Sequence, residues 1–302
     1  GSLLNFIKEK NGITFGIEPT DAYKDAIENG HIAYNEFLSP DVADNFILKN
    51  GKPDIITFTN VFAHIENLHD VLKSLKILLS PDTIIVIENH YLGSVLSGNQ
   101  FDTFYHEHPR TYSYTSFLSI AKSLGCDLLD VEFPSRYGGN IRVHVTKGKG
   151  RPVSQAGTDL LALEDASGLG KLETFQKFAD RVKMARLKFM DFLISTNREG
   201  KSIVGNSCPG RCSTLLNYYG VGTELLPYLA EQPASLKLGK YLPGKHIPVV
   251  NNQILIDEQP DYVIILAWHY AKPIMEQLKA RGLKSDFVIP LPDFEIVKNE
   301  DV

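Results

Sequence analysis

Short apolar runs separated by longer stretches with helical periodicity set the pattern of this chain. Ile13 to Ile17 is an apolar run bounded by Gly12 and Pro19, and Asp54 to Thr59 and Thr83 to Glu88 are two more. Runs of this length between turn residues predict buried strands. After the first, Thr20 predicts an N-cap for a helix closing at Asn29-Gly30. Between the other two, Leu68, Val71, Leu72, Leu75, Leu78 and Leu79 recur at helical spacing up to Ser80-Pro81. Alternating strands and helices predict a mostly parallel sheet covered on both faces. A helix over Ser116 to Leu124 follows, then a closing, antiparallel pair of strands over Asp127 to Phe133 and Asn140 to Val145.

The Gly- and Lys-rich stretch from Lys147 to Gly157 predicts a linker. Apolar positions from Leu172 through Phe178, Val182 and Phe189 to Phe192 predict one long helix joining two halves. A second α/β unit begins at Lys201: a strand over Ser202 to Gly205, a helix over Ser213 to Tyr219, a buried strand over Asp261 to Trp268, a helix over Lys272 to Arg281 and a strand over Phe287 to Pro290. The fold class is α/β with two Rossmann-like domains. Residues 1–150 form the first, 151–198 the linker and connecting helix, and 199–302 the second.

Composition narrows the function classes. The 302 residues are 43% hydrophobic and 22% charged, with a net charge of −5 and a pI near 6.0. That balance argues against nucleic acid or an anionic membrane as partner, and no apolar run approaches membrane-spanning length. Three cysteines, Cys126, Cys208 and Cys212, are too few and too oddly spaced for a disulfide framework or a structural zinc; they suggest a reducing, cytoplasmic setting.

The densest chemistry lies in Phe104 to Pro109, which packs Tyr105, His106, Glu107 and His108 into four consecutive positions after the strand ending in Glu88 and Asn89. Imidazole is the side chain best matched to moving protons near neutral pH, and an adjacent carboxylate can hold or tune it. On an extended backbone Tyr105 and Glu107 would share one face and His106 and His108 the other. A polar surface loop, or a metal pair made by the two histidines, is the alternative. Glu18, at the end of the first strand, suits the two hydroxyls of a ribose, or equally the dipole of the following helix. Asn60 at a strand end can satisfy a ligand's amino or carboxylate group, whereas His64 alone reads more readily as a capped or solvated histidine than as a ligand contact. Gly205 and Gly210, with Arg211 and Ser213 at a helix start, make either a phosphate cradle or a merely tight turn. Their spacing departs from a dinucleotide fingerprint, and Pro209 removes an N–H.

In combination and order these segments resemble the sugar C-methyltransferases that act on nucleotide-linked 4-keto-deoxysugars. The resemblance is carried by Gly16-Ile17-Glu18-Pro19, by Asn60-Val61-Phe62-Ala63-His64-Ile65, by Tyr105-His106-Glu107-His108 and by Tyr137-Gly138-Gly139-Asn140-Ile141-Arg142. In the second half it is carried by Thr214-Leu215-Leu216-Asn217, by Gly239 to Gly244 and by His246-Ile247-Pro248. It implies S-adenosylmethionine as cofactor, held by Glu18, Pro19, Asn60, Val61 and His64. It implies His108 as the base that removes the C3 proton beside the ketone, with Glu107 and Tyr105 orienting the sugar or stabilising the enolate oxygen. Asn89, Tyr91, Arg142, Arg211, Tyr241 and His246 are the candidates for binding the nucleotide sugar.

Members of that family usually begin with a cysteine-rich zinc module, a first strand and a glycine-rich loop. None of these is in the sequence, so zinc is expected only in such a module and the first sheet is expected to lack its central strand. A shortened relative that binds a nucleotide sugar without transferring a methyl group is the alternative function. A nicotinamide-dependent oxidoreductase is a third, weakened because neither half has a dinucleotide loop. The sugar, its nucleotide and the oligomeric state are not legible in the sequence.

Overall fold

The computed structural model describes residues 2–134, 138–148 and 151–302. Gly1, Tyr137 and the end of the expected first domain at 149–150 lie outside the described residues. The chain begins with helix α1 (Ser2–Glu9), strand β1 (Phe15–Ile17), α2 (Ala22–Glu28), β2 (Ile32–Tyr34) and α3 (Pro40–Asn50). The cap of α2 falls at Asp21 rather than Thr20, although the Thr20 hydroxyl still accepts from the Ala22 N–H at 3.3 Å. β1 and β2 pair in parallel, Phe15 opposite Ile32.

Next come β3 (Ile55–Thr59), α4 (Leu68–Leu78), β4 (Ile84–His90), α5 (Leu92–Ser97), α6 (Tyr114–Leu124), β5 (Asp127–Glu132) and β6 (Asn140–Thr146). β3 and β4 are parallel, and β6 runs antiparallel to both β4 and β5, giving the order β3-β4-β6-β5. The β1–β2 pair forms a separate two-stranded sheet. α3 joins the two sheets: Phe46 lies 5.0 Å from the Phe15 ring and shares a cluster with Ile56 and Leu78. A central strand is what the family resemblance expects in a sheet of this type.

The stretch expected as a linker contains a helix, α7 (Gln155–Ala166), capped by Ser154. Leu160 enters the first domain's core, and the buried Glu164 carboxylate accepts from the N–H groups of Tyr114 (2.6 Å) and Thr115 (2.9 Å) at the start of α6. The glycines and lysines before α7 hid an element that belongs physically to the first domain.

α8 (Leu172–Arg198) is the long connecting helix, burying Phe178, Val182, Phe189 and Leu193 along one stripe. The second domain follows: β7 (Ile203–Asn206), α9 (Gly210–Tyr219), β8 (Leu229–Glu231), β9 (Val249–Asn251), α10 (Gln253–Glu258), β10 (Tyr262–Ile265), α11 (Ala271–Ala280), β11 (Asp286–Ile289) and β12 (Glu295–Val297). Its sheet runs β12-β11-β10-β7-β8-β9, parallel except for β12. From β7 the chain winds to one side through β8 and β9, then returns to the other side at β10. The strand order therefore reverses between β7 and β10, the kind of switch point beyond whose carboxyl ends open α/β sheets place their ligands. Leu96 and Phe101 of the first domain belong to the same buried cluster as Phe189, Leu215 and Tyr219, so the two domains share a core. Among the described residues no helix is long and apolar enough to cross a membrane.

Candidate active site

The Tyr105–His108 segment is a turn, not an extended strand. The His108 N–H donates to the Tyr105 carbonyl at 2.8 Å, which brings positions i and i+3 together. Tyr105 and His108 therefore share a side, ring centroids 4.5 Å apart, against the alternation expected of an extended chain. The Tyr105 hydroxyl donates to Glu107 at 3.2 Å. His106 points outward, its side chain 88% exposed.

The His108 ring is fixed from behind. Its Nδ1 lies 3.0 Å from the Thr103 carbonyl oxygen and 3.3 Å from the Thr103 hydroxyl. A carbonyl can only accept, so Nδ1 carries the hydrogen and Nε2 keeps its lone pair. Burial holds His108 below the ordinary imidazole range, opposed by the bond to Thr103. The rings of His64 and His90 stand 4.7 and 5.1 Å away. Burial, with the nearby Glu107 carboxylate, pushes the Tyr105 phenol up to about 12, so it stays a hydrogen-bond donor at neutral pH.

At the ends of the first-domain strands, Asn60 adopts φ +54°, a left-handed conformation that asparagine tolerates. Its side-chain oxygen accepts from Asn140 at 2.9 Å. Asn89 accepts from the Ala63 N–H at 3.3 Å, while its own amide nitrogen and the Asn140 side-chain oxygen are buried without a partner among the described residues. One Glu18 oxygen accepts from the Thr20 N–H (2.9 Å) and hydroxyl (2.6 Å). Pro19 and Val61 are exposed beside Glu18 and Asn60.

The second domain reaches this cluster through its switch point. The turn after β7 leads into Gly210 and Arg211. A Cβ on Gly210 would lie 3.2 Å from the Tyr105 ring, so glycine lets α9 start against the first domain. Arg211 is buried, and its Nη2 donates to Asp102 (2.9 Å) and Gln100 (3.2 Å). The Trp268 indole, from the turn that follows β10, donates to the other Asp102 oxygen at 2.8 Å and carries the Arg211 guanidinium 5.0 Å from its ring. Burial raises the Asp102 carboxyl, and the Arg211 charge opposes it. With a donor on each oxygen, the geometry serves the ionised form.

The other sequence candidates sit elsewhere. Tyr91 is a core aromatic, 5.6 Å from Phe133. Arg142 lies opposite Glu88 in the β4–β6 register and grips it at 2.7 Å, with Glu132 at 2.9 Å. That guanidinium is spent on a pair of carboxylates from its own sheet. Tyr241 and His246 are exposed on a segment held against α9, where Asn217 donates to the Pro243 carbonyl at 2.9 Å. Gln100, Asp102, His90, Trp268 and His269 were not singled out from sequence. An acid between Phe101 and Phe104 and the single tryptophan are the available signals. Among the described residues no group of His, Cys, Asp or Glu is placed to hold a metal ion.

The half-buried imidazoles of His90 and His269 are expected to make stability pH-dependent. Burial first, then the Arg211 charge, lowers His90 to about 3 and His269 to about 4, from 6.5. An unfolded chain takes up these protons as pH falls through 6.5; the folded chain does not until about 4 and 3. The unfolded state then binds more protons, so stability is lost on acidification below pH 6.5. The slope is at most about 1.4 kcal/mol per pH unit for each ring. Urea midpoints measured from neutral pH down into this window are expected to fall, and His269→Gln to flatten the fall. An equal fall in that variant would mean His269 is not responsible.

Residues 135–292 match a family profile described as C-methyltransferase C-terminal domain, and residues 1–131 match one described as methyltransferase domain. C-methyltransferase NovU of Streptomyces niveus is 30% identical over 266 residues, which cover 87% of this chain and 63% of that protein. The chain thus spans less than two thirds of that relative. An O-methyltransferase family protein from Burkholderia thailandensis superposes at a TM-score of 0.37 with 13% identity, over 50% of this chain and 48% of that one. The carboxy-terminal profile alone takes in more than half of the chain, and the chain therefore belongs to the S-adenosylmethionine-dependent C-methyltransferase family.

Proposed function

We propose that the protein transfers a methyl group from S-adenosylmethionine to the carbon next to the ketone, C3, of a nucleotide-linked 4-keto-deoxysugar. The observation that carries this reading is His108, whose Nδ1 is committed to the Thr103 carbonyl so that Nε2 stands as a base beside the rings of Tyr105 and His64.

The residues present fit the cofactor. Glu18 has one oxygen beyond the one tied to Thr20 to offer a ribose diol, and among the described residues the buried Asn89 amide nitrogen and Asn140 oxygen are an unfilled donor and acceptor near Asn60. Glu18, Pro19, Asn60, Val61 and His64 are the residues that would hold it; when bound, it supplies an electrophilic methyl group.

The chain's own part is proton chemistry and positioning. His108 Nε2 takes the proton from the carbon beside the ketone, and the electron pair left behind makes that carbon nucleophilic. Thr103 steadies the imidazolium by accepting from Nδ1. Tyr105, kept protonated and paired with Glu107, can donate to a sugar oxygen. Holding both reactants in one cleft supplies much of the rate. The nucleotide portion falls to the second domain, with Tyr241 and His246 as candidates, and a cytoplasmic setting suits the free thiols of Cys126, Cys208 and Cys212.

The test uses S-adenosylmethionine labelled in its methyl group and thymidine-diphosphate-linked 4-keto-6-deoxyglucose. A label on sugar carbon is the expected product. A label on oxygen would overturn the reading, and tight binding of the sugar nucleotide without any transfer would support the non-catalytic alternative.

A further inference from the structure

We propose that Arg211 is a catalytic residue: its Nε–Nη1 edge receives the oxyanion that forms on the substrate as His108 takes the carbon-bound proton. This rests on the reading of His108 as the base.

Three contacts fix the guanidinium. Nη2 is held by Asp102 and Gln100, and the Trp268 ring lies against the group. A planar ion anchored at one end and on one face has little freedom left. Its remaining donors, Nε and Nη1, are buried with no hydrogen-bond partner among the described residues, and the side chain is only 7% exposed. Unfilled donors on a buried cation are costly unless something else fills them. Asp102 makes burial of the charge tolerable, yet both its oxygens are engaged, by Arg211 and by Trp268. It offers nothing to the Nε–Nη1 edge.

The position suits an anion formed beside His108. Gly210, next to Arg211 in the chain, would place a Cβ 3.2 Å from the Tyr105 ring, whose centroid lies 4.5 Å from that of His108; His90, His269 and Tyr105 are the other titratable groups within reach of the Arg211 charge. Glu107 is bonded to Tyr105, and Tyr219 and Cys212 are the titratable groups close to Asp102. In the proton-transfer step the C–H bond breaks and the proton goes to His108 Nε2. The freed electron pair forms a carbon–carbon double bond, and the carbonyl π pair moves onto oxygen. A charge appears on that oxygen that the ketone did not have. Donors fixed in advance in a dry site stabilise such a charge far more than the ground state. The second domain then supplies half of the catalytic centre rather than only a hold on the nucleotide.

The test is exchange of the substrate's C3 proton with D2O, without cofactor, at saturating thymidine-diphosphate-linked 4-keto-6-deoxyglucose. The variants are Arg211→Lys and the double variant Asp102→Asn/Arg211→Gln, which removes both charges together and orphans neither. Exchange is expected to fall about 10²–10³-fold in the double variant and by less in the lysine variant. The half-saturating concentration should change little. With the neighbouring positive charge gone, the acid limb of the exchange profile, set by His108, should move to higher pH. Unchanged exchange at saturation, with only a weaker half-saturation, would overturn the proposal and make Arg211 a ground-state anion holder. His108→Asn separates the two claims. If that variant exchanges like the wild type, the base is misassigned. If it is inert while the Arg211 variants exchange normally, the oxyanion role alone fails.

Discussion

Replacing His108 with asparagine is expected to lower methyl transfer by about 10²–10⁴-fold, the usual contribution of a general base. Asparagine is the informative choice. Its amide N–H can replace Nδ1–H as donor to the Thr103 carbonyl, so the turn and its packing survive, while the lone pair of Nε2 disappears. Binding of the sugar nucleotide, measured by calorimetry, should change little. A large loss of binding would mean that His108 grips the substrate instead of deprotonating it. The wild-type profile adds a second check. Burial holds the ring below 6.5, so activity should rise with pH through a midpoint below 6.5 and be fully developed at neutral pH.

Asp102→Ala is expected to cost about 3–5 kcal/mol of stability, because it leaves the Arg211 charge buried and uncompensated. Asp102 is 1% exposed and joins the short turn Phe101–Thr103 of the first domain to Arg211 and Trp268 of the second. Its loss should loosen the junction at which both domains meet Tyr105 and His108. Asp102→Asn should cost less, since its oxygen can still accept one of the two bonds. Denaturant unfolding of the two variants measures the difference; equal, small losses would show that the pair is not what holds the junction.

How far the sequence spoke depended on whether a signal was local. The strands over Ile55–Thr59 and Ile84–His90 are continuous apolar runs and were legible. β2 has only Ile32, Ala33 and Tyr34, too short to show a period, and α3 mixes Phe46 and Ile47 with five polar or charged side chains along its length. α7 was masked by the glycines and lysines before it. In the site, Tyr105, Glu107 and His108 announced themselves by residue type, but their arrangement was misread. A single hydrogen bond from His108 N–H to Tyr105 carbonyl turns the segment and decides which side chains cooperate. Arg142 and Tyr91 looked available because composition says nothing of register. Arg142 faces Glu88 only because β6 runs antiparallel to β4, and Tyr91 turns inward at the strand end. Asp102, His90, Trp268 and His269 come together only when the switch point of the second sheet docks on the first domain, which no local pattern encodes.

Chemistry at the carbon beside the ketone can be watched without the cofactor. Proton NMR of thymidine-diphosphate-linked 4-keto-6-deoxyglucose in D2O, with wild-type protein and with His108→Asn, follows loss of the C3 signal directly. Selective disappearance of that signal with the wild type, and its persistence with the variant, is the predicted result. Equal rates in the two samples, or no exchange above the protein-free control, would contradict proton removal by His108.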